Sequence, residues 1–165
     1  AREKVQCCIA KSLLDQYRPG QQELFLQTSR QGVDLMDILD MPFITVRKGN
    51  RLRRGLDSFF SQQLSHPNYT FECEQQELVY ELAKKGAGVG LLSPIIFFQK
   101  IDELKALRSS LHVFPVVNDI PEHILYLVYR KDTPLPRYVM DLVQAICMVF
   151  RGYSRTIAHG LTSES

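Results

Sequence analysis

The chain has 165 residues, enough for one domain or two small lobes, and its 45% hydrophobic and 23% charged residues are the proportions of an ordinary folded protein. A mostly disordered or collagen-like chain is excluded, and no apolar run reaches the roughly 18 to 20 residues that a membrane helix needs. The 20 basic and 18 acidic residues leave a net charge of +2, too even to argue for a nucleic-acid surface. No membrane partner is expected.

Val5 to Ala10 is a short β-leaning run, followed by Lys11-Ser12-Leu13-Leu14 and a polar stretch closed by Pro19-Gly20. Leu24-Phe25-Leu26 reads as a second short strand. Asp34 is placed to cap a short helix, Leu35 to Leu39, that stops before Met41-Pro42. Phe43-Ile44-Thr45-Val46 is a strand of aromatic and β-branched residues. Gly49-Asn50 punctuates it, and Asn50 suits the N-cap of a helix from Arg51 to about Gln63, with Leu52, Leu56, Phe59 and Phe60 on one stripe.

After the turn His66-Pro67-Asn68, Tyr69 to Cys73 reads as a strand and Gln75 to Lys85 as a helix with Leu78, Leu82 and Ala83 inward. Gly86 ends that helix, and Gly88 to Leu92 is a short buried strand stopped at Ser93-Pro94. Ile95 to Leu107 is partly helical, Leu111 to Val117 and Ile124 to Tyr129 are strands, and Pro134-Leu135-Pro136 opens a helix from Arg137 to Phe150. Strand, helix, strand, helix, strand with short connections predicts an α/β fold with a mainly parallel or mixed sheet flanked by helices. Ligands of such sheets lie beyond the carboxyl ends of the strands, here Thr45 to Asn50 and Glu72 to Gln76.

Little in the chain is arranged for catalysis. His66, His112, His123 and His159 are far apart, with no metal-ligand spacing. Cys7, Cys8, Cys73 and Cys147 form no CxxC and are expected to be reduced, and the acidic neighbours Glu72 and Glu74 make Cys73 a poor nucleophile. Gly86-Ala87-Gly88-Val89-Gly90 follows a helix and opens a strand, the reverse of a dinucleotide loop. Glu72, Glu74 and Glu77 have no visible acid–base partner. The segment Thr45 to Arg51 is more informative: a strand ends, a glycine frees the backbone, and a capped helix begins among cationic side chains. Free N–H groups and the helix dipole there suit a carboxylate or phosphate.

The order of these segments resembles the effector-binding domain of LysR-type transcriptional regulators, from about Val5 to Phe150. The resemblance rests on Pro42-Phe43-Ile44, then Arg54-Gly55-Leu56-Asp57-Ser58-Phe59-Phe60, the turn and strand Pro67 to Glu72, and Leu82 to Pro94 with its spaced glycines. Leu127-Val128-Tyr129-Arg130 and the helix ending at Phe150 complete it. Ser93 displaces a proline of that pattern, and Arg18 to Gly32 is longer and more polar than in the family.

The resemblance implies a periplasmic-binding-protein-like (type 2) fold of two α/β lobes, the first incomplete here. Residues 1–130 would be lobe two with its crossover strands, 131–152 the returning helix of lobe one, and 153–165 a flexible tail. The winged helix-turn-helix and linker helix that begin such regulators have no counterpart in these residues, so any DNA contact would belong to that region. Chemistry and resemblance together imply a small, anionic effector in an interlobe cleft, met by Thr45, Arg47, Lys48 and Asn50 with Glu74 and Gln75 opposite. No cofactor, no metal and no enzyme activity are expected; the protein would be cytoplasmic. The apolar side chains of the last helix imply a homo-oligomer. The alternative on the same fold is a solute-binding receptor of a transport system.

Overall fold

Five strands make a mixed sheet with helices on both faces, in a computed structural model that describes residues 2–121 and 134–160 together with positions 123, 124, 126, 128, 130 and 132. The strands are β2 (Gln6–Ala10), β3 (Phe43–Val46), β4 (Tyr69–Cys73), β5 (Val89–Leu92) and β6 (Leu111–Pro115), in the order β4-β3-β5-β2-β6. β3 runs parallel to β4 and β5, whereas β2 is antiparallel to β5 and β6. A separate antiparallel pair joins β1 (Arg2–Glu3) to β7 (His123–Ile124). Every residue of β2, β3 and β5 is buried, as expected of strands covered on both faces.

Helix α3 (Arg51–Gln62) covers one face. The Asn50 carboxamide accepts the Leu52 N–H at 2.9 Å, and Leu52, Leu56, Phe59 and Phe60 turn inward. Phe60 meets Phe43 edge-on at 6.2 Å, which places the Phe43–Thr45 side of β3 under α3. Helix α4 (Gln76–Lys84) packs on the other face, against β2, β3 and β5. It ends in a Schellman arrangement: the Gly86 N–H donates to Ala83 O and the Ala87 N–H to Leu82 O. Gly86 adopts φ +78°, which a side chain would disfavour.

Helices α1 (Lys11–Tyr17) and α2 (Gln22–Thr28) lie between β2 and β3 in the chain, while α5 (Pro94–Gln99) and α6 (Ile101–Ala106) join β5 to β6. α7 (Arg137–Gly160) continues past Gly152 and touches α5.

Three expectations are corrected. Leu24-Phe25-Leu26 is helical, inside α2, because Phe25 reaches β6 and packs edge-on against Phe114 at 5.9 Å. Leu35 to Leu39 is a run of turns; Asp34 still accepts the Met36 N–H, but Asn118 takes the Leu35 N–H, a tertiary partner that a continuing helix does not require. Leu78 is exposed, and the inward face of α4 is Val79, Tyr80 and Ala83. Of the expected strand Ile124 to Tyr129, Ile124 lies in β7, Tyr126 and Val128 are exposed, and positions 125, 127 and 129 lie outside the described residues.

Candidate functional site

Parallel pairing brings the carboxyl ends of β3, β4 and β5 to one edge of the sheet, and three helices start there. Between β3 and α3 the turn Arg47–Asn50 is closed at both ends. The Arg47 N–H extends the ladder to Cys73 O at 2.8 Å, and Asn50 O accepts the Arg54 N–H at 3.0 Å. Gly49, at φ +95°, makes the reversal between them. The Arg47 guanidinium crosses to the end of β4 and meets the Glu74 carboxylate at 2.6 Å. On the other side the Gln76 side chain accepts the Ser93 N–H at 2.6 Å, tying the start of α4 to the end of β5.

Arg47, Asn50, Glu74 and Gln75 thus stand together at one edge. Lys48 is exposed in the turn, and Gln75 is exposed at the N-cap position of α4 without a capping side-chain bond. Thr45 differs. It is fully buried on the face covered by α3, and its hydroxyl has no hydrogen-bond partner among the described residues.

The first turn of α3 holds no acidic residue. Lys48, Arg51 and Arg54 are exposed and make no ion pair among the described residues. Their charge adds to the positive end of the helix dipole and favours an anion at this edge. Arg53 points the other way and is only 4% exposed. Its Nε donates to Asp57 Oδ1 at 2.7 Å, its Nη1 to Glu72 Oε1 at 2.8 Å and to Val46 O at 3.3 Å, and its guanidinium lies 4.2 Å from the centre of the Tyr69 ring. Burial works against its charge, but hydrogen bonds to Asp57 and Glu72 more than offset this and hold its pKa above the ordinary value.

Ser93 and Arg53 are the contributors that sequence reasoning missed, and Gln76, inside the expected Glu72 to Gln76 span, gains a partner it did not foresee. The Arg53–Asp57 pair has a visible signal, opposite charges four residues apart beside an apolar stripe. The Gln76–Ser93 contact has none, because it joins segments seventeen residues apart.

The arrangement binds more readily than it reacts. Glu72 is engaged by Arg53 and Glu74 by Arg47, so these carboxylates form no shared acid–base pair. Burial raises the Cys73 thiol pKa, and this desolvation, rather than the flanking acids, makes it a poor nucleophile. Burial likewise pushes Cys8 up to about 12. Among the described residues, no group of three or more His, Cys, Asp or Glu could hold a metal, and no helix is long and apolar enough to cross a membrane.

A solved structure of the effector-binding domain of QuiR in complex with shikimate is similar to this chain, with a TM-score of 0.55 at 18% identity over 82% of the chain. At that identity the structural likeness shows a shared fold alone. The match covers 56% of the QuiR chain, so this chain spans little more than half its length. No curated protein matches. A family model described as the LysR substrate binding domain matches residues 21–150, well over half of the chain. The chain therefore belongs to the LysR substrate-binding domain family.

Proposed function

We propose that the chain is the effector-sensing part of a cytoplasmic LysR-type transcription regulator, not an enzyme, and that its effector is a small anionic metabolite. The ligand would lie in an interlobe cleft, against the edge formed by Arg47, Lys48, Asn50, Glu74 and Gln75, with Thr45 beneath. In this reading residues 1–130 form lobe two with its crossover strands and 131–152 belong to the returning helix of lobe one, which runs on to Gly160 where a tail was expected from 153. DNA is contacted by a winged helix-turn-helix outside these 165 residues, and copies of the chain associate with one another. Effector binding shifts the disposition of the lobes only as far as its affinities for the two states differ.

The observation that carries the reading is the convergence of a capped, cation-flanked helix start with the ends of β4 and β5. The QuiR domain was solved with shikimate, a carboxylate, which supports the anionic class. Glu74 gives the site a built-in competitor, since its carboxylate occupies Arg47 at 2.6 Å. Both side chains are mostly exposed, and such a pair contributes only about 0–1 kcal/mol. An incoming carboxylate that also takes N–H donors of α3 can displace it.

Shikimate titrated into the isotopically labelled chain is expected to move the amides of residues 47–52 and Ser93 saturably. Glu74→Gln should tighten binding by about twofold to fivefold, the range set by an exposed pair, and Arg47→Ala should weaken it. Failure of shikimate and of other small carboxylates to move these amides would sink the reading. Equal binding of the methyl ester and the free acid would remove the anionic class.

A further inference from the structure

We propose that Arg53 is a positioning residue for the anion-binding turn, fixing the carbonyl of Val46, and so the span from Arg47 to Asn50, without touching the ligand. The inference deepens the proposed function and rests on that reading of the turn. Arg53 is the third residue of α3, where the positive end of the helix dipole disfavours a cation. It is also almost fully buried, so its charge has lost most of its water.

Its partners belong to three elements. Asp57 is on α3, Glu72 and the Tyr69 ring are on β4, and Val46 O is the last carbonyl of β3. A planar guanidinium can donate in two directions while its face lies on a ring; a lysine ammonium, a point charge, cannot do both. The turn is therefore pinned at each end by α3: at Val46 by the Arg53 side chain, at Asn50 by the bonds to Leu52 and Arg54. Only residues 47–49, including the left-handed Gly49, lie between the pins. Two carboxylates already occupy the guanidinium and it has almost no exposed surface. Arg53 therefore acts on a ligand through the backbone of the turn.

Amide hydrogen exchange on the whole chain tests this. Arg53→Lys keeps the charge and loses the fork. Glu72→Gln, at a carboxylate 40% exposed, guards against failure of the first variant to fold. In both variants the Arg47 and Leu52 amides should exchange about tenfold faster, the scale expected for weakening a charge-assisted hydrogen bond. The Cys7 and Cys8 amides of central β2 should keep their wild-type rates. Acceleration shared by β2, or none at Arg47 and Leu52, would overturn the proposal by giving Arg53 a general structural role or no hold on the turn. In a parallel shikimate titration, Glu72→Gln should bind several-fold more weakly than wild type. A wild-type chain that ignores shikimate and other small carboxylates counts against the binding-site reading, while the exchange rates still decide whether Arg53 positions the turn.

Discussion

Thr45 carries an unusual local imbalance. Its hydroxyl is fully buried between β3 and α3 with no partner among the described residues, an arrangement that costs about 1–3 kcal/mol. Valine has nearly the same shape and no polar group. Thr45→Val is therefore expected to raise the unfolding free energy by about 1 kcal/mol, read from urea unfolding of the ligand-free chain. A loss of stability would reveal an unseen partner for the hydroxyl. The same variant checks the role of Thr45 in binding: weaker shikimate binding would keep it in the site, and unchanged binding would remove it. Its place near a strand end was legible because Phe43 to Val46 reads plainly as a strand. Its burial was not, since that depends on how far α3 folds back over β3. Asn50 was legible for the opposite reason: an N-cap needs only its own side chain and the next turn of helix.

Local signals also decided which elements could be recognised. Asn50 announces the start of α3 and Gly86 the end of α4, and both boundaries fall within a residue or two of expectation. Leu24-Phe25-Leu26 carries no such mark. Three adjacent apolar residues fit either period, and the contact of Phe25 with Phe114, made across the fold, accompanies the helix. The junction of α4 with α6 is likewise non-local: Lys84 donates to Glu103 at 2.6 Å and pairs with Glu81 at 2.7 Å. The hydrogen bond from Lys84 holds the Glu103 carboxyl below its ordinary value of 4.5. A carboxylate with a lowered folded-state pKa contributes stability that is complete above its unfolded value and disappears as pH falls through the folded one. Stability should thus decline below about pH 4.5, and Lys84→Met should flatten the Glu103 part of that decline. Solvent reaches both groups, so the change will be modest. Identical acid slopes for the two proteins in urea titrations between pH 3 and 6 would show that the contact is not maintained in solution.

At the scale of the molecule, the strand–helix alternation from β3 to β5 pointed to the parallel half of the sheet, and with it the edge where the candidate site lies. The insertion of β2 antiparallel between β5 and β6 was not legible in the same way, because its partners are about 80 to 110 residues away in the chain. The family match reaches position 150 and so includes most of α7. Val139, Val143, Ile146 and Phe150 are half-buried on that helix, which touches α5, while Tyr138, Met140, Leu142, Met148 and Val149 stay exposed. An apolar surface of this kind is an interaction surface by default, and a net charge of +2 does little to keep copies apart. The 165-residue chain should therefore self-associate at micromolar concentrations in sedimentation equilibrium. Leu142→Lys, at a residue 58% exposed, removes a side chain whose burial is worth about 1.5–3 kcal/mol, so it should weaken association by about tenfold or more. Its thermal midpoint should stay near that of the parent, since the exposed position has little packing to lose. A chain that remains monomeric across the concentration range would leave α7 without a role in assembly and count against the proposed homo-oligomer.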